Sequence, residues 1–229
     1  MFIGHYAPAF LAAAVAPRRA QNRVGLGSMF IAAQLIDIVF FTLFLAGVEH
    51  MGMRPGATVM NAMDLYDMPW DHSLTGAACW AAGFALVLRL TGRGWGAALL
   101  GAAVVLSHWL LDLIVHRPDL TLAGGPPRLG LGLWNYPMIE IPLELALAYG
   151  ALGLYAARTR PSGAASRWLL LGLAVVMALL QAINWLTPPP PAPVYPVPSA
   201  AGITALGAYA IMAALAFGVA ATRVPLSRH

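Results

Sequence analysis

The sequence predicts an all-α fold, a polytopic helical bundle integral to a membrane, and three observations carry that prediction. Of its 229 residues 60% are hydrophobic and only 10% are charged, whereas soluble domains carry about a quarter of charged residues. The mean hydropathy is +0.73. The apolar residues also gather into runs long enough to cross a bilayer, and at about 20 residues per crossing the chain is accounted for as a single transmembrane domain, residues 1–229.

Taken in order, the first element is short. Gly4 to Ala16 is apolar but reaches only about 20 Å at 1.5 Å per residue, against a hydrocarbon core of about 30 Å, so it reads as a short N-terminal helix, crossing or re-entrant. It has no basic region before it and no well-placed cleavage site, which argues against a signal peptide. Six longer runs bounded by Arg, Gly or Pro follow, at about 24–48, 73–92, 95–115, 136–157, 166–187 and 200–222. Each predicts a long transmembrane helix.

All 13 basic residues are arginine. With the connections numbered alternately, Arg18, Arg19, Arg23, Arg89, Arg93, Arg158, Arg160, Arg167, Arg223 and Arg228 fall on one side, and Arg54, Arg117 and Arg128 on the other. Basic residues are retained on the cytoplasmic face, so the first side, with the C-terminus, is expected to be cytoplasmic. Arginines at helix ends act as an orientation signal, and the net charge of +4 does not mark a nucleic-acid partner. Trp70, Trp134 and Trp185 at the outer ends and Trp95 and Trp168 at the inner ends fit an interfacial belt. The single cysteine, Cys79, allows no internal disulfide or CxxC site and reads as a packing residue.

The outer connections are the longer ones. Residues 49–72 carry Glu49, Asp64, Asp67 and Asp71, the aspartates reading as a solvated loop face. Residues 188–199, with Pro at seven of twelve positions, form a stiff polyproline strap. The strap is expected either to cover the gap between two helices or to dock a membrane-protein partner.

An ionisable side chain at the centre of a span costs at least about 2.5–3.5 kcal/mol and is a functional-site hypothesis until a partner explains it. Here such residues cluster by position. Asp37 lies mid-span, and His108 and Asp112 stand four residues apart on one helix face. Glu140 and Glu144 repeat that spacing, and His72 opens the second long run. Counted in helical rises from the outer ends, Asp112 lies about 5 Å deep, His108 about 10 Å and Asp37 about 17 Å. His5 joins this outer group if the short helix starts outside.

Imidazole and carboxylate are ligands for Zn²⁺ or a related divalent ion, and the ion neutralises carboxylates otherwise stranded in low dielectric. His5, Asp37, His72, His108 and Asp112 are the candidate metal residues, with Zn²⁺ the first candidate cofactor. Asp37 and Glu140 are the candidate catalytic acid/base groups, and Glu144 a candidate orienting or proton-path group. His50 and His116 stand at helix ends, where histidines commonly snorkel or meet the helix dipole.

Gly-His-Tyr at 4–6, Gln-Leu-Ile-Asp-Ile at 34–38, Asp-His-Ser-Leu at 71–74 and Ser-His-Trp-Leu-Leu-Asp at 107–112 together resemble a family of bacterial inner-membrane metal-dependent hydrolases. The resemblance covers about residues 1–120 and implies that His5, Asp37, His72, His108 and Asp112 form a metal site in a multi-pass protein of the bacterial inner membrane. Two departures stand out: Leu35-Ile36 replaces a Pro-containing lead to the aspartate with no second Asp after it, and Pro69-Trp70-Asp71 replaces an Arg-Gly-rich run.

The leading expectation is therefore a hydrolase acting on a lipid or lipid-linked ester or phosphoester, with membrane lipid as partner. A proton- or cation-coupled transporter, or a non-catalytic subunit or assembly factor of a membrane complex, would use similar buried His and Asp/Glu groups.

Overall fold

The computed structural model describes residues 1–15 and 24–226. Arg18, Arg19, Arg23, Arg228 and His229 lie outside the described residues.

Helices dominate, in agreement with the sequence. A 3₁₀ turn, Ile3–His5, leads into α1 (Tyr6–Val15). Then come α2 (Leu26–Ala33), α3 (Leu35–Leu45), α4 (Leu74–Leu90), α5 (Trp95–Val115), α6 (Pro137–Arg158), α7 (Ala164–Leu186) and α8 (Ser199–Ala221). Small antiparallel pairs fill the connections: β1 (His50–Met53) with β2 (Met63–Asp67), β3 (Leu120–Thr121) with β4 (Arg128–Leu129), and β5 (Thr159–Pro161) with β6 (Arg223–Pro225).

The count of long spans differs from six. Among the described residues four helices, α5 to α8, are each long and apolar enough to cross a membrane, and the bent α2–α3 pair makes a fifth if it is one broken span. The run at 24–48 is not one helix but two, α2 and α3, bent by 54° at Gln34, whose φ of −109° and ψ of 10° leave the helical region. Gln34 is buried and its amide donates to the Phe2 carbonyl (3.1 Å), so a polar residue in an apolar run was spent on a tertiary contact at a break. The run at 73–92 yields α4, which at 17 residues extends only about 26 Å.

Local chemistry explains several ends. Ser73 caps α4 by accepting from the Gly76 amide at 3.0 Å, satisfying one of the orphan donors of the first turn. Pro137 begins α6, where its missing N–H costs nothing. Gly92, with φ of +81°, makes the turn that folds α5 back along α4.

Small residues allow the helices to approach. A side chain at Gly27 of α2 would overlap the Phe217 ring of α8, and one at Gly101 of α5 would meet Phe84 and Leu88 of α4. Between apolar helices in lipid such fit, rather than water exclusion, is the main source of association. Ile3, Tyr6, Phe10, Phe30 and Ile36 form a fully buried core. The N-terminal segment thus sits inside the bundle, and Cys79 is exposed rather than packed.

The polyproline strap lies over the β1–β2 hairpin. Val194 bridges to Met53, and the Tyr195 ring crosses Gly52, where a Cβ would collide with it. The Tyr195 hydroxyl donates to Asp64, which also receives Arg117. Burial raises the Asp64 pKa, and these donors override it and hold it low. This aspartate is an anchor between loops, not a solvated face.

Candidate metal centre

α5 supplies three residues of the site. His108 and Asp112 are one helical turn apart, with His108 Nε2 3.0 Å from Asp112 Oδ2. His116 was expected to be a helix-end residue that snorkels or meets the helix dipole. It is the C-terminal cap of α5, and its φ of −63° keeps its side chain on the helical course, so four residues after Asp112 it lies on the same face and its Nε2 reaches within 3.5 Å of Asp112 Oδ1.

The other residues arrive from three separate segments. The 3₁₀ turn brings His5 Nε2 to 3.0 Å from Asp112 Oδ1. Asp37, in the first turn of α3, places Oδ1 3.5 Å from His72 Nε2 and 3.4 Å from His108 Nε2. The helix N-terminus favours a carboxylate there. His72 precedes the Ser73 cap and lies 3.8 Å from Asp112 Oδ2; its carbonyl is held by Trp109 Nε1 at 3.1 Å.

All five residues that the sequence nominated as metal ligands therefore converge. Suitably placed donor atoms of His5, His108 and Asp112, and likewise of Asp37, His72 and His108, lie within 4.8 Å of one another. The histidines and Asp112 are at most 3% exposed, and the Met1 amino nitrogen lies 3.4 Å from Asp112 Oδ1.

Three of the four histidines are oriented by acceptors behind them. At the α2–α3 bend the Ala33 carbonyl accepts from His108 Nδ1 (2.7 Å), a carbonyl that a continuous helix would give to its own amide four residues on. His72 Nδ1 donates to Asp71 Oδ1 (2.5 Å) and His116 Nδ1 to Asp119 Oδ1 (2.9 Å). A proton fixed on Nδ1 leaves Nε2 as the free lone pair, the arrangement found behind metal-bound histidines. Sequence reading missed Asp71 and Asp119 in this role because only the fold shows which ring nitrogen they face.

The donor set fits a cation. His5 Nε2, His108 Nε2 and Asp112 Oδ2 are buried with no hydrogen-bond partner among the described residues, a costly state for polar atoms unless something electrophilic satisfies them. Carboxylates face both ring nitrogens of His72 and of His116: Asp37, Asp71 and Asp112 around His72, and Asp112 and Asp119 around His116. The cluster is one that demands positive charge.

The other nominated residues are placed elsewhere. Glu144 of α6 accepts from the Phe2 amide at 2.5 Å and the Gly4 amide at 3.0 Å, and from Gln181 Nε2 at 3.0 Å. It thereby holds the turn that carries His5. Glu140, expected as a catalytic group, is fully buried with both carboxyl oxygens lacking a hydrogen-bond partner, and no ion pair joins it to the histidines among the described residues. His50 pairs with Asp67 on the exposed hairpin at 2.7 Å, outside the cluster. Trp134, expected in an interfacial belt, is buried against the His116 ring with centroids 4.3 Å apart.

A cavity of about 620 Å³ reaches the cluster at Asp37, His72, Asp112 and His116, between the hairpin, the strap and the facing ends of α3, α7 and α8. Phe40, Phe41, Ile183 and Ala205 line its apolar side. Asp37, with its side chain 18% exposed, is the carboxylate of the cluster most open to it. Another cavity, at Pro161–Leu171, lies away from these residues. No protein-family model, curated protein or solved structure matches the chain.

Proposed function

We propose that the protein is a membrane-embedded, metal-dependent hydrolase of a lipid or lipid-linked ester or phosphoester, with His5, Asp37, His72, His108 and Asp112 holding the ion. The observation that carries this reading is the convergence of these side chains from four segments, with buried nitrogen and oxygen atoms that make no hydrogen bond among the described residues and with His72 and His108 anchored from behind. A divalent ion such as Zn²⁺ would supply Lewis acidity toward the bond to be cut and lower the pKa of water.

The protein's own part is to bind, orient and exclude. The cavity joins an apolar wall to a polar end, which suits an amphiphile whose chain lies along Phe41 and Ile183 and whose ester or phosphoester faces Asp37. Asp37 Oδ1 faces the histidines while Oδ2 is held by the Tyr209 hydroxyl (2.8 Å), so this carboxylate is placed to take or give a proton at the cavity. The burial of the remaining ligands excludes bulk water. The resemblance over residues 1–120 points to the same class and to the bacterial inner membrane.

In this reading the bent α2–α3 pair and the short α4 complete six crossings, α1 is the short N-terminal helix, and the C-terminus is cytoplasmic. The test is elemental analysis of the purified protein beside hydrolysis of lipid esters and phosphoesters. Bound divalent metal, lost together with turnover in Asp112→Ala, is expected; wild-type protein that holds none after incubation with Zn²⁺ overturns the reading.

A further inference from the structure

We propose that the centre is built for two divalent cations bridged by the carboxylate of Asp112, with His116 as a ligand to the second. The proposal rests on the metal-site reading above and adds to it the number of ions and the residue that separates one from two.

The first argument is the number of donors. A catalytic Zn²⁺ takes three protein ligands and keeps a position open. Here four histidine Nε2 atoms and two carboxylates converge, twice that set. They also divide. Asp112 Oδ2 faces His108 at 3.0 Å and His72 at 3.8 Å, and Asp37 Oδ1 lies on the same side, 3.4 and 3.5 Å from those nitrogens. Asp112 Oδ1 faces His5 at 3.0 Å and His116 at 3.5 Å. One oxygen looks into a His₂Asp group and the other into a pair of histidines.

The second argument is the spacing of the two halves. The His5 and His108 rings stack with centroids 3.8 Å apart and an interplanar angle of 6°, and each directs Nε2 at a different oxygen of Asp112. Two-metal centres hold their ions about 3.5–4 Å apart, and parallel rings at this separation present lone pairs side by side at that pitch.

The third argument concerns His116. A histidine that merely ends a helix needs no anchor on Nδ1. His116 has one in Asp119, just as His72 has Asp71 and His108 the Ala33 carbonyl. Asp119 is itself fixed by Arg117 Nε at 3.2 Å. The orienting layer extends behind both halves of the cluster. The competing occupant of the second half is the Met1 ammonium, 3.4 Å from Asp112 Oδ1, which would neutralise that oxygen without metal.

The experiment is metal stoichiometry on the full chain, purified in detergent, incubated with Zn²⁺ and freed of excess. Two zinc ions per chain are expected for wild type, one for His116→Ala and one for Asp37→Asn. Loaded with Mn²⁺ instead, wild type should give the spin-coupled electron paramagnetic resonance spectrum of a bridged pair, and His116→Ala that of isolated ions. If His116→Ala does not fold, Asp119→Asn decides, since loss of an orienting partner should weaken the second ion about 10- to 100-fold while sparing the first. One ion in wild type, unchanged in either variant, overturns the bridged pair and leaves the single-metal reading standing with the ammonium in the second position. No metal in any of them overturns both.

Discussion

The Tyr209 hydroxyl of α8 donates to Asp37 Oδ2 of α3 at 2.8 Å, joining residues 172 positions apart at the wall of the cavity. Because the bond occupies the oxygen turned away from the histidines, Tyr209 aims Asp37 without competing for the face that meets them. Tyr209→Phe should therefore retain bound metal and lose about three- to tenfold in turnover, the order of one hydrogen bond worth 0.5–1.5 kcal/mol. Asp37→Asn should lower metal content as well as turnover. Elemental analysis beside hydrolysis rates separates the two, and equal metal loss in both variants refutes the assigned division of labour.

Much of this site was legible in the sequence because it rests on local spacing and on the cost of charge among apolar residues. His108 and Asp112 share a helix face by their spacing alone, and Asp37 stands out in an apolar run. What was not legible depends on breaks in regular structure. The bend at Gln34 turns one expected helix into two and frees the Ala33 carbonyl that orients His108, yet no Gly or Pro stands at the break to mark it. His116 was passed over for a different reason: it ends the helix, although its four-residue spacing from Asp112 puts both on one face. Trp134 and Asp71 look superficial in sequence because they sit in loops, and both are buried. Tyr209 and Asp119 carried no signal, since their partners are set by tertiary contact.

Glu144 and Glu140, one turn apart on α6, should respond oppositely to neutralisation. Glu144 accepts the Phe2 and Gly4 amides and Gln181 Nε2, so Glu144→Ala strands three donors, the buried ones at about 1–3 kcal/mol each, and frees the turn that carries His5. Faster amide exchange across residues 2–6 and reduced metal retention are expected. Glu140→Gln should keep the metal, because no contact with the histidines is removed. It should lower turnover if that carboxyl moves protons. Metal loss in Glu140→Gln equal to that in Glu144→Ala would show that the two carboxyls act as one structural unit.

Glu49 gives the protein a pH dependence outside the spans. It is fully buried, Oε1 accepts from the Trp70 amide at 2.8 Å, and Oε2 and Asp71 Oδ2 lack any other partner among the described residues. Burial, and then the Asp71 carboxyl, raise Glu49 from its ordinary 4.5 to about 9, so the fold keeps a proton that the unfolded chain releases above 4.5. The resulting stability is complete below the unfolded value and declines as pH rises through the folded one, by at most about 1.4 kcal/mol per pH unit. Glu49→Gln offers Asp71 an amide donor that does not titrate. Thermal unfolding across that range should show a falling midpoint for wild type and a flatter profile for the variant; parallel profiles would exclude the shared proton.

The proposed orientation of the bundle rests on its arginines. Arg89 and Arg93 flank the α4–α5 turn, Arg158, Arg160 and Arg167 the α6–α7 connection, and Arg223 follows α8. The β5–β6 pair brings two of these groups together: Arg160 pairs with Val224, and Arg223 donates to the Thr159 hydroxyl at 2.8 Å. The residues after α6 and those after α8 therefore lie at the same end of the bundle, as the alternate numbering of the connections placed them; the sequence did not reveal the strand pairing between them. The hairpin and strap lie over the cavity, and Arg54, Arg117 and Arg128 belong to these loop regions and to the α5–α6 connection. If basic residues mark the cytoplasmic face, the C-terminus is cytoplasmic and the cavity opens at the outer face. A phosphatase reporter fused after residue 229 should be inactive, and one inserted in the 54–62 loop active, because that enzyme folds only outside the cytoplasm. The reverse pattern would turn the bundle over and place the His/Asp centre within reach of cytoplasmic rather than external lipid substrates.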